Sequence, residues 1–534
     1  MTAADDPNRP LYHGFLRSAE THPDRPAVDV AGVCVTYREL REAATRLAAT
    51  IQSHTPEGGP AMTGVFAYRS PAAFAGVLGS LLAGNGYLPL NRGFPPERTR
   101  TMLARSECRS IIVDGASEPQ LAELLHGIDY PLLIILADRD EPGDLKLRWP
   151  AHRFIARKDL DPAAAWRERP KTRDALAYVL FTSGSTGIPK GVMVAQRNVT
   201  HFVDAIMDRY RVTCGDRFSQ TFDMTFDLSV FDMFVAWEAG ACVCCPSQRT
   251  MLNPGSFIQE ARITVWFSVP SVGVLMKRLG SLGAGHYPNL RLSLFCGEPL
   301  PAEIASTWAA AAPNSIVENL YGPTELTIAC TIYRWDPASS PAQCEREIVP
   351  IGDPIPGMVA MVADANGVEV APGEEGELLL TGPQVSLGYW RDPEQTAARF
   401  VVPAAKQELY YRTGDRVRSS KDDRSMTYLG RLDHQIKVQG HRVELEEVEA
   451  VLRAEAGVEV AIALGWPLTS TGAAAIEVFV AGAKADMGLL RDKLKHRLPR
   501  YAVPRRIHKI EQWPLNANGK IDRRQLQKHL EELG

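Results

Sequence analysis

The feature that most constrains this chain is an alternation. Short apolar runs, each emptying into a Gly, a Ser or a polar turn, recur along it: AMTGVFAY (61–68), SIIVDG (110–115), PLLIILAD (131–138), AYVLFTSG (177–184), ITVWFSVP (263–270), LRLSLFCG (290–297) and SIVENLYG (315–322). Segments of helical period lie among them, including YRELREAATRLAATIQ (37–52), ERTRTMLARS (97–106) and PAEIASTWAAAA (301–312). Strand-length apolar runs alternating with amphipathic helices predict doubly wound α/β sheets. Ligands of such sheets bind in the loops beyond the strand C-termini. The polar motifs SGSTG, CGE and YGPTE stand directly after runs of this kind.

After about residue 340 the texture changes. VPIGDPIPGMVAMV, GEEGELLLTGP and LYYRTGDRV read as a mostly β subdomain. From Gly430 the pattern turns α+β: HRVELEEVEAVLRAE reads as one amphipathic helix, AAAIEVFVAG as a strand and MGLLRDKLKHRL as a helix, predicting a small C-terminal domain.

Composition excludes other classes. Lys plus Arg is 59 against 63 Asp plus Glu, a net charge of −4, which argues against nucleic acid as the main partner. The longest apolar segment, ITVWFSVPSVGVLM (263–276), is too short to span a bilayer and carries Pro270, so no membrane association is expected. The start, MTAADDPNRP, has no apolar core and does not read as a secretory signal. The nine cysteines form no pair of CxxC motifs, so a zinc site is not expected and reduced, cytoplasmic thiols are.

The strongest chemical signal is LFTSGSTGIPKG (180–191). A strand empties into Thr182, Ser183, Gly184, Ser185, Thr186, Gly187 and Lys190, offering backbone N–H groups, hydroxyls and a cation to phosphate oxygens. The spacing is not that of a Walker loop. With this motif the chain resembles the adenylate-forming superfamily: acyl-CoA synthetases, firefly luciferase and the adenylation domains of nonribosomal peptide synthetases. Further signatures of that family follow in order: GNGYLPLN (84–91), FDLSVFDMF (226–234), YGPTE (321–325), GELLLTGPQVSLGYW (376–390), YRTGD (411–415), GRLDHQIKVQGHRVELEEVE (430–449) and NANGKIDR (516–523).

The resemblance implies an N-terminal core over 1–430, built of two doubly wound α/β subdomains and a distorted β-barrel. It implies a mobile α+β domain over 431–534, with its hinge near Asp433. It implies two half-reactions: a carboxylate attacks the α-phosphate of ATP, giving an acyl-adenylate and pyrophosphate, and a thiol then takes the acyl group. By the same resemblance Lys520 is the catalytic lysine, Glu325 the Mg²⁺-associated glutamate and Thr324 a phosphate contact. Tyr321 stacks on adenine, Asn319 reads its edge, Asp415 binds the ribose hydroxyls, and Gly322, Tyr428 and Arg431 complete the ATP site. Rotation at Asp433 would exchange the Lys520 face for one carrying the segment 437–440. The sequence departs from the family pattern at Gln439 and Leu387, where arginines are common.

Asp227 stands where amino-acid-activating members hold the partner of the substrate α-ammonium, which favours an α-amino acid. The rest of the implied pocket is Leu228, Phe231, Ser271, Leu294, Cys296, Gly297, Leu320, Ile328 and Ala329. It lacks a partner for a charged side chain, and its bulky walls suit a small one: alanine first, then serine, cysteine or glycine. FDLSVFD with LFCGEPLP is similar to D-alanine:carrier-protein ligases. The alternatives are a β-amino acid enzyme, an acyl- or aryl-CoA ligase of the same fold and, more remotely, a non-catalytic nucleotide-binding protein. The chain ends shortly after NGKIDR, so a phosphopantetheine-bearing carrier is expected to be a separate protein.

Overall fold

The computed structural model describes residues 9–170, 172–184, 189–420, 425–433, 435–481, 487–514 and 521–533. Two large sheets carry the alternation read from the sequence. A seven-stranded sheet runs Arg153–Ala156, Leu133–Leu136, Ser110–Val113, Met62–Phe66, Gly86–Leu90, Leu176–Thr182 and Lys190–Ala195, in that spatial order. It is parallel except at the last pair. A nine-stranded sheet has Ile316–Tyr321, Leu292–Phe295, Val265–Ser268, Arg217–Ser219, Cys242–Cys245 and Pro26–Val30 as its parallel centre, with antiparallel strands at both edges. Strands buried on both faces are continuous apolar runs because nothing polar can be left on either side.

Helices Tyr37–His54 and Pro71–Leu82 pack on one another between these layers. The first starts at a capping box: the Thr36 hydroxyl accepts from the Glu39 N–H, and the Glu39 carboxylate accepts from the Thr36 N–H at 2.9 Å. A single apolar cluster joins both sheets and reaches the third, five-stranded antiparallel sheet through Leu378, Leu380 and Tyr411. The β texture expected after residue 340 is this third sheet.

Beyond residue 435 a separate apolar cluster forms around Val438, Val443, Leu452, Val478 and Leu494. One sequence expectation is corrected here. HRVELEEVEAVLRAE is not one helix: His441–Glu444 pairs with Gln435–Val438 as an antiparallel hairpin, and the helix begins at Leu445. Gly440, at φ +81°, makes the turn between the two strands. A side chain there would also meet Val269 at 2.7 Å, so both backbone and space demand glycine. Among the described residues no helix is long and apolar enough to cross a membrane. All nine cysteines are free.

Candidate active site

The loops beyond the C-terminal ends of the nine-stranded sheet meet the hairpin 435–444 around a cavity of about 120 Å³, lined by Asp227, Leu228, Cys296, Gly297, Tyr321, Gly322, Thr324, Asp415, Arg431, Lys437 and others. A larger groove over helix 37–54 holds none of these residues.

At one end of the cavity lies Asp227, just before the short helix Leu228–Val230, which continues as a π-helical turn over Phe231–Val235. Such turns are rare and gather at functional sites. The Asp227 carboxylate accepts the Ile328 N–H at 3.1 Å and a bond from the Thr324 side chain. Ile328 sits at φ +69° and Thr327 at +59°, unusual for β-branched residues, and this backbone turns the N–H toward the aspartate. Burial, opposed only in part by these bonds, pushes the carboxyl up to about 7. Cys296 is fully buried; desolvation lifts its thiol to about 12, so it is a neutral wall. Gly322 lies against Ala329, whose Cα a Cβ would meet at 2.6 Å.

The remaining pocket residues take different places. Leu294, Ile328 and Ala329 are fully buried. Leu320 lines a small neighbouring cavity on the nucleotide side. Phe231 packs in an aromatic cluster, with ring centroids 4.8 Å from Phe267 and 5.8 Å from Phe218. The Ser271 N–H donates to Glu298 at 2.7 Å. Of the implied pocket, Asp227, Leu228, Cys296 and Gly297 border the main cavity directly.

Glu325 is fully buried and binds Arg442, which lines the cavity. Burial would raise its pKa, yet Arg442 at 3.1 Å, Lys190 at 3.9 Å and the Tyr389 hydroxyl at 2.7 Å hold it at about 2. Lys190 itself is lowered to about 8 by desolvation and the neighbouring Arg442. Ser183 bonds across to the hairpin: its hydroxyl donates to the Arg442 carbonyl at 2.9 Å and accepts the Glu444 N–H at 3.3 Å. The Thr182 hydroxyl is buried with no partner among the described residues. Gly184 is buried beside it.

The part of the site around Asn319 and Asp415 is built from the strand Ile316–Tyr321 and the pair Tyr410–Ser419 and Met426–Arg431. Asn319 donates to the Pro350 carbonyl at 2.9 Å, which leaves its buried Oδ1 without a partner among the described residues. An amide held in this way presents an acceptor, which suits an exocyclic amine such as that of adenine. Tyr321 donates to Asp415, and Arg431 binds Asp415 at 2.9 Å and Asp433 at 2.6 Å. Asp415 and Asp433 are thus tied through one guanidinium. Tyr428 lines the small cavity beside Asn319.

The site holds groups that sequence reading left without roles. Arg442 stands inside a quoted motif but was not singled out; Tyr389 likewise. Tyr501 belongs to no motif, yet its ring stacks on His441 at 3.7 Å, and His441 meets the Phe226 edge at 4.7 Å. Burial lowers His441 to about 4, so this stack is uncharged at neutral pH. Lys520, Ser185, Thr186 and Gly187 lie outside the described residues.

A glycine-rich strand-loop, a buried amide with an unpartnered acceptor beside Tyr321, and two buried carboxylates, Asp227 on the cavity and Glu325 bound to its Arg442, fit the site of an adenylate-forming enzyme. Comparison agrees. Residues 15–390 match the AMP-binding enzyme family, and the chain belongs to it; the class is that of AMP-forming ligases. It is 30% identical over 530 residues to the D-alanine--D-alanyl carrier protein ligase of Bacillus velezensis, covering 97% of this chain and 98% of that one. It is 34% identical over 518 residues to tyrocidine synthase 3 of Brevibacillus parabrevis, covering 96% of this chain but only 7% of that much longer protein. The Vibrio cholerae adenylation domain AlmE, solved in complex with glycyl-adenosine-5'-phosphate, superposes with a TM-score of 0.87 at 32% identity, covering 98% of each chain.

Proposed function

We propose that this chain activates a small α-amino acid with ATP as aminoacyl-AMP, releasing pyrophosphate, and passes it to the phosphopantetheine thiol of a separate carrier protein. Alanine leads, with serine, cysteine and glycine behind it. One observation carries the reading: Asp227 is an enclosed carboxylate, facing a cavity of about 120 Å³, that no protein cation pairs among the described residues. A charge so placed is stable only with a partner, and a substrate α-ammonium is that partner. The glycyl-adenylate held by AlmE supports a small acyl pocket, and the carrier ligase of Bacillus velezensis supports a carrier as acceptor.

The residues act as follows. Asp227 and the Ile328 backbone orient the amino acid, and Leu228 and Cys296 limit its side chain. Asn319, Tyr321 and Asp415 hold adenosine, and the strand-loop ending at Gly184 with Lys190 holds phosphate oxygens. The motif resemblance proposes Lys520 as the cation of the adenylation step. Mg²⁺ is typically held by one or two carboxylates plus substrate phosphates, which a lone Glu325 fits; among the described residues there is no group of three metal-binding side chains. When bound, the ion would neutralise charge on the phosphates. The proposed division at 430/431, with a hinge at Asp433, is supported by the separate apolar clusters on its two sides. The arrangement described presents Lys437–Gly440 to the cavity, the face the resemblance gives to thiol transfer.

The test is product analysis with purified enzyme, ATP, Mg²⁺ and hydroxylamine. Pyrophosphate release with alanyl- or glycyl-hydroxamate as product is expected. Pyrophosphate release only with fatty or aryl acids would overturn the amino-acid reading.

A further inference from the structure

Ile328 supplies the N–H that Asp227 accepts at 3.1 Å, and it does so from a strained turn. Thr327 stands at φ +59° and Ile328 at φ +69°, and the Ala329 N–H closes a three-residue turn onto the Thr327 carbonyl at 2.9 Å. A three-residue turn with a positive central φ is rare and strained, the more so for β-branched residues. Such a backbone persists only where its surroundings over-determine it.

The group that holds it is Gln384. This side chain is fully buried, and its amide nitrogen donates to three carbonyls of the one turn: Leu326 at 3.1 Å, Thr327 at 3.0 Å and Ala329 at 2.8 Å. Carbonyls only accept, so the nitrogen faces them and the amide oxygen faces His201 Nδ1, at 3.2 Å. The Thr327 hydroxyl returns a bond to the Gln384 carbonyl at 2.7 Å. Gln384 is itself fixed from behind. Helix Gln196–Tyr210 carries His201 and also Asn198, whose amide donates to the carbonyls of Pro383 at 2.6 Å and Val385 at 3.0 Å. Helix, glutamine and turn thus form one chain of hydrogen bonds that ends on Asp227. Residues 326–329 are fully buried, so without the amide their carbonyls lose a donor that water does not replace, and the strained turn is free to relax.

Resting on the function proposed above, we propose that Gln384 is a positioning residue for amino-acid recognition: its amide holds the 326–329 turn so that the Ile328 N–H fixes the Asp227 carboxylate toward the substrate α-ammonium. Gln384 lines neither the main cavity nor the small one beside it, so it acts through the turn rather than by contact. Its influence is one-sided. Glu325, just before the turn, is held independently by Arg442, Lys190 and Tyr389, and Asp415 by Arg431. Affinity for the amino acid therefore depends on Gln384, and affinity for ATP does not.

The experiment reads that split. Wild type, Gln384→Met and Gln384→Asn are compared by ATP–pyrophosphate exchange, with KM measured separately for alanine or glycine and for ATP. Methionine matches the length and removes the donors; asparagine keeps them on a shorter arm. For Gln384→Met the amino-acid KM should rise about 10- to 100-fold, the scale of a lost hydrogen bond to a charged group, with kcat and the ATP KM within about threefold of wild type. Gln384→Asn should fall between wild type and Gln384→Met. A glutamine that only supports packing would lower kcat through lost active enzyme and leave both KM values alone. That result overturns the inference, as does an ATP KM that rises in step with the amino-acid KM. Where Gln384→Met gives no folded protein by circular dichroism, Gln384→Asn decides by the same split, with a rise of at least about threefold in the amino-acid KM expected. Wild type that exchanges with fatty or aryl acids but with neither amino acid overturns the proposed function, and this inference with it. Wild type that exchanges with alanine or glycine, beside variants of unchanged amino-acid KM, overturns this inference alone.

Discussion

Asp227 lines the cavity and Glu325 lies buried behind it, bound to the lining residue Arg442, and the protonation of these two buried carboxylates is driven in opposite directions. Asp227 is pushed up to about 7, with a backbone N–H and a hydroxyl as its partners. Glu325 is pulled down to about 2 by Arg442, Lys190 and Tyr389. Burial is the same adverse influence on both, so the difference lies in who supplies the counter-charge. At the phosphate end the protein supplies it, partly from the C-terminal hairpin. At the acyl end it leaves the place open for the ligand.

The comparison breaks most severely at the acyl end. Asp227→Ala removes the cavity-lining carboxylate that, among the described residues, no protein cation pairs. Losing one partner of a buried pair costs about 3–5 kcal/mol, so amino-acid-dependent ATP–pyrophosphate exchange should fall roughly 200- to 5,000-fold. Exchange within tenfold of wild type would place the ammonium elsewhere.

A pH profile sharpens the same point. Only ionised Asp227 pairs with an ammonium, and its fraction drops tenfold for each pH unit below about 7. The expected kcat/KM for the amino acid therefore declines about tenfold per unit below that pH in the free enzyme. A profile flat down to pH 5 contradicts an aspartate that titrates near 7.

The two ends should also differ in the sign of their stability effects. Glu325 has a folded pKa of about 2 against an ordinary 4.5, so its ionised form favours folding above pH 4.5, and that contribution fades as pH falls toward 2. Asp227 has a folded pKa above its ordinary 3.8, so its contribution is full below 3.8 and lost as pH rises through about 7. Urea melts at several pH values should show the stability gap between wild type and Glu325→Gln shrinking on acidification below 4.5. For Asp227→Asn against wild type, the variant should gain relative stability as pH rises from 4 toward 7. Matching signs for the two would undo the contrast.

The smallest expected effect is at the pocket wall. Cys296→Gly deletes a neutral side chain and should shift preference from alanine toward larger aliphatic amino acids by about tenfold, the value of one or two methylenes. An unchanged ranking across alanine, valine and leucine would show that Cys296 does not set the limit.

The alternation that opens the sequence is what the two large sheets display, because strands covered on both faces must be apolar and helices on one face only. The hairpin 435–444 was harder to read. HRVELEEVEAVLRAE has helical spacing throughout, and the strand over its first residues is decided by pairing with Gln435–Val438 and by the turn at Gly440. Asp227, Glu325, Asn319 and Asp415 stand in quoted motifs; Asp227 and Asp415 line the main cavity, Asn319 the small one beside it, and Glu325 binds Arg442 of the main cavity's lining. Tyr501 was not legible. Its place depends on where the C-terminal part rests against the N-terminal part, through contacts such as the buried Arg98–Glu447 pair at 2.6 Å, and no local pattern encodes a contact between residues so far apart in the chain. Phe231 had the right spacing for the pocket but packs among Phe202, Phe218 and Phe267, since an aromatic ring gains more there than beside a small polar ligand.

The most direct measurement is ATP–pyrophosphate exchange with alanine and glycine beside their matched acids without an α-amino group, propionate and acetate, and beside β-alanine. Exchange with alanine or glycine at least about 100-fold above propionate and acetate is the predicted result, since only the amino acids bring Asp227 its cation. Equal exchange with propionate, or exchange with β-alanine alone, would contradict an α-ammonium at Asp227.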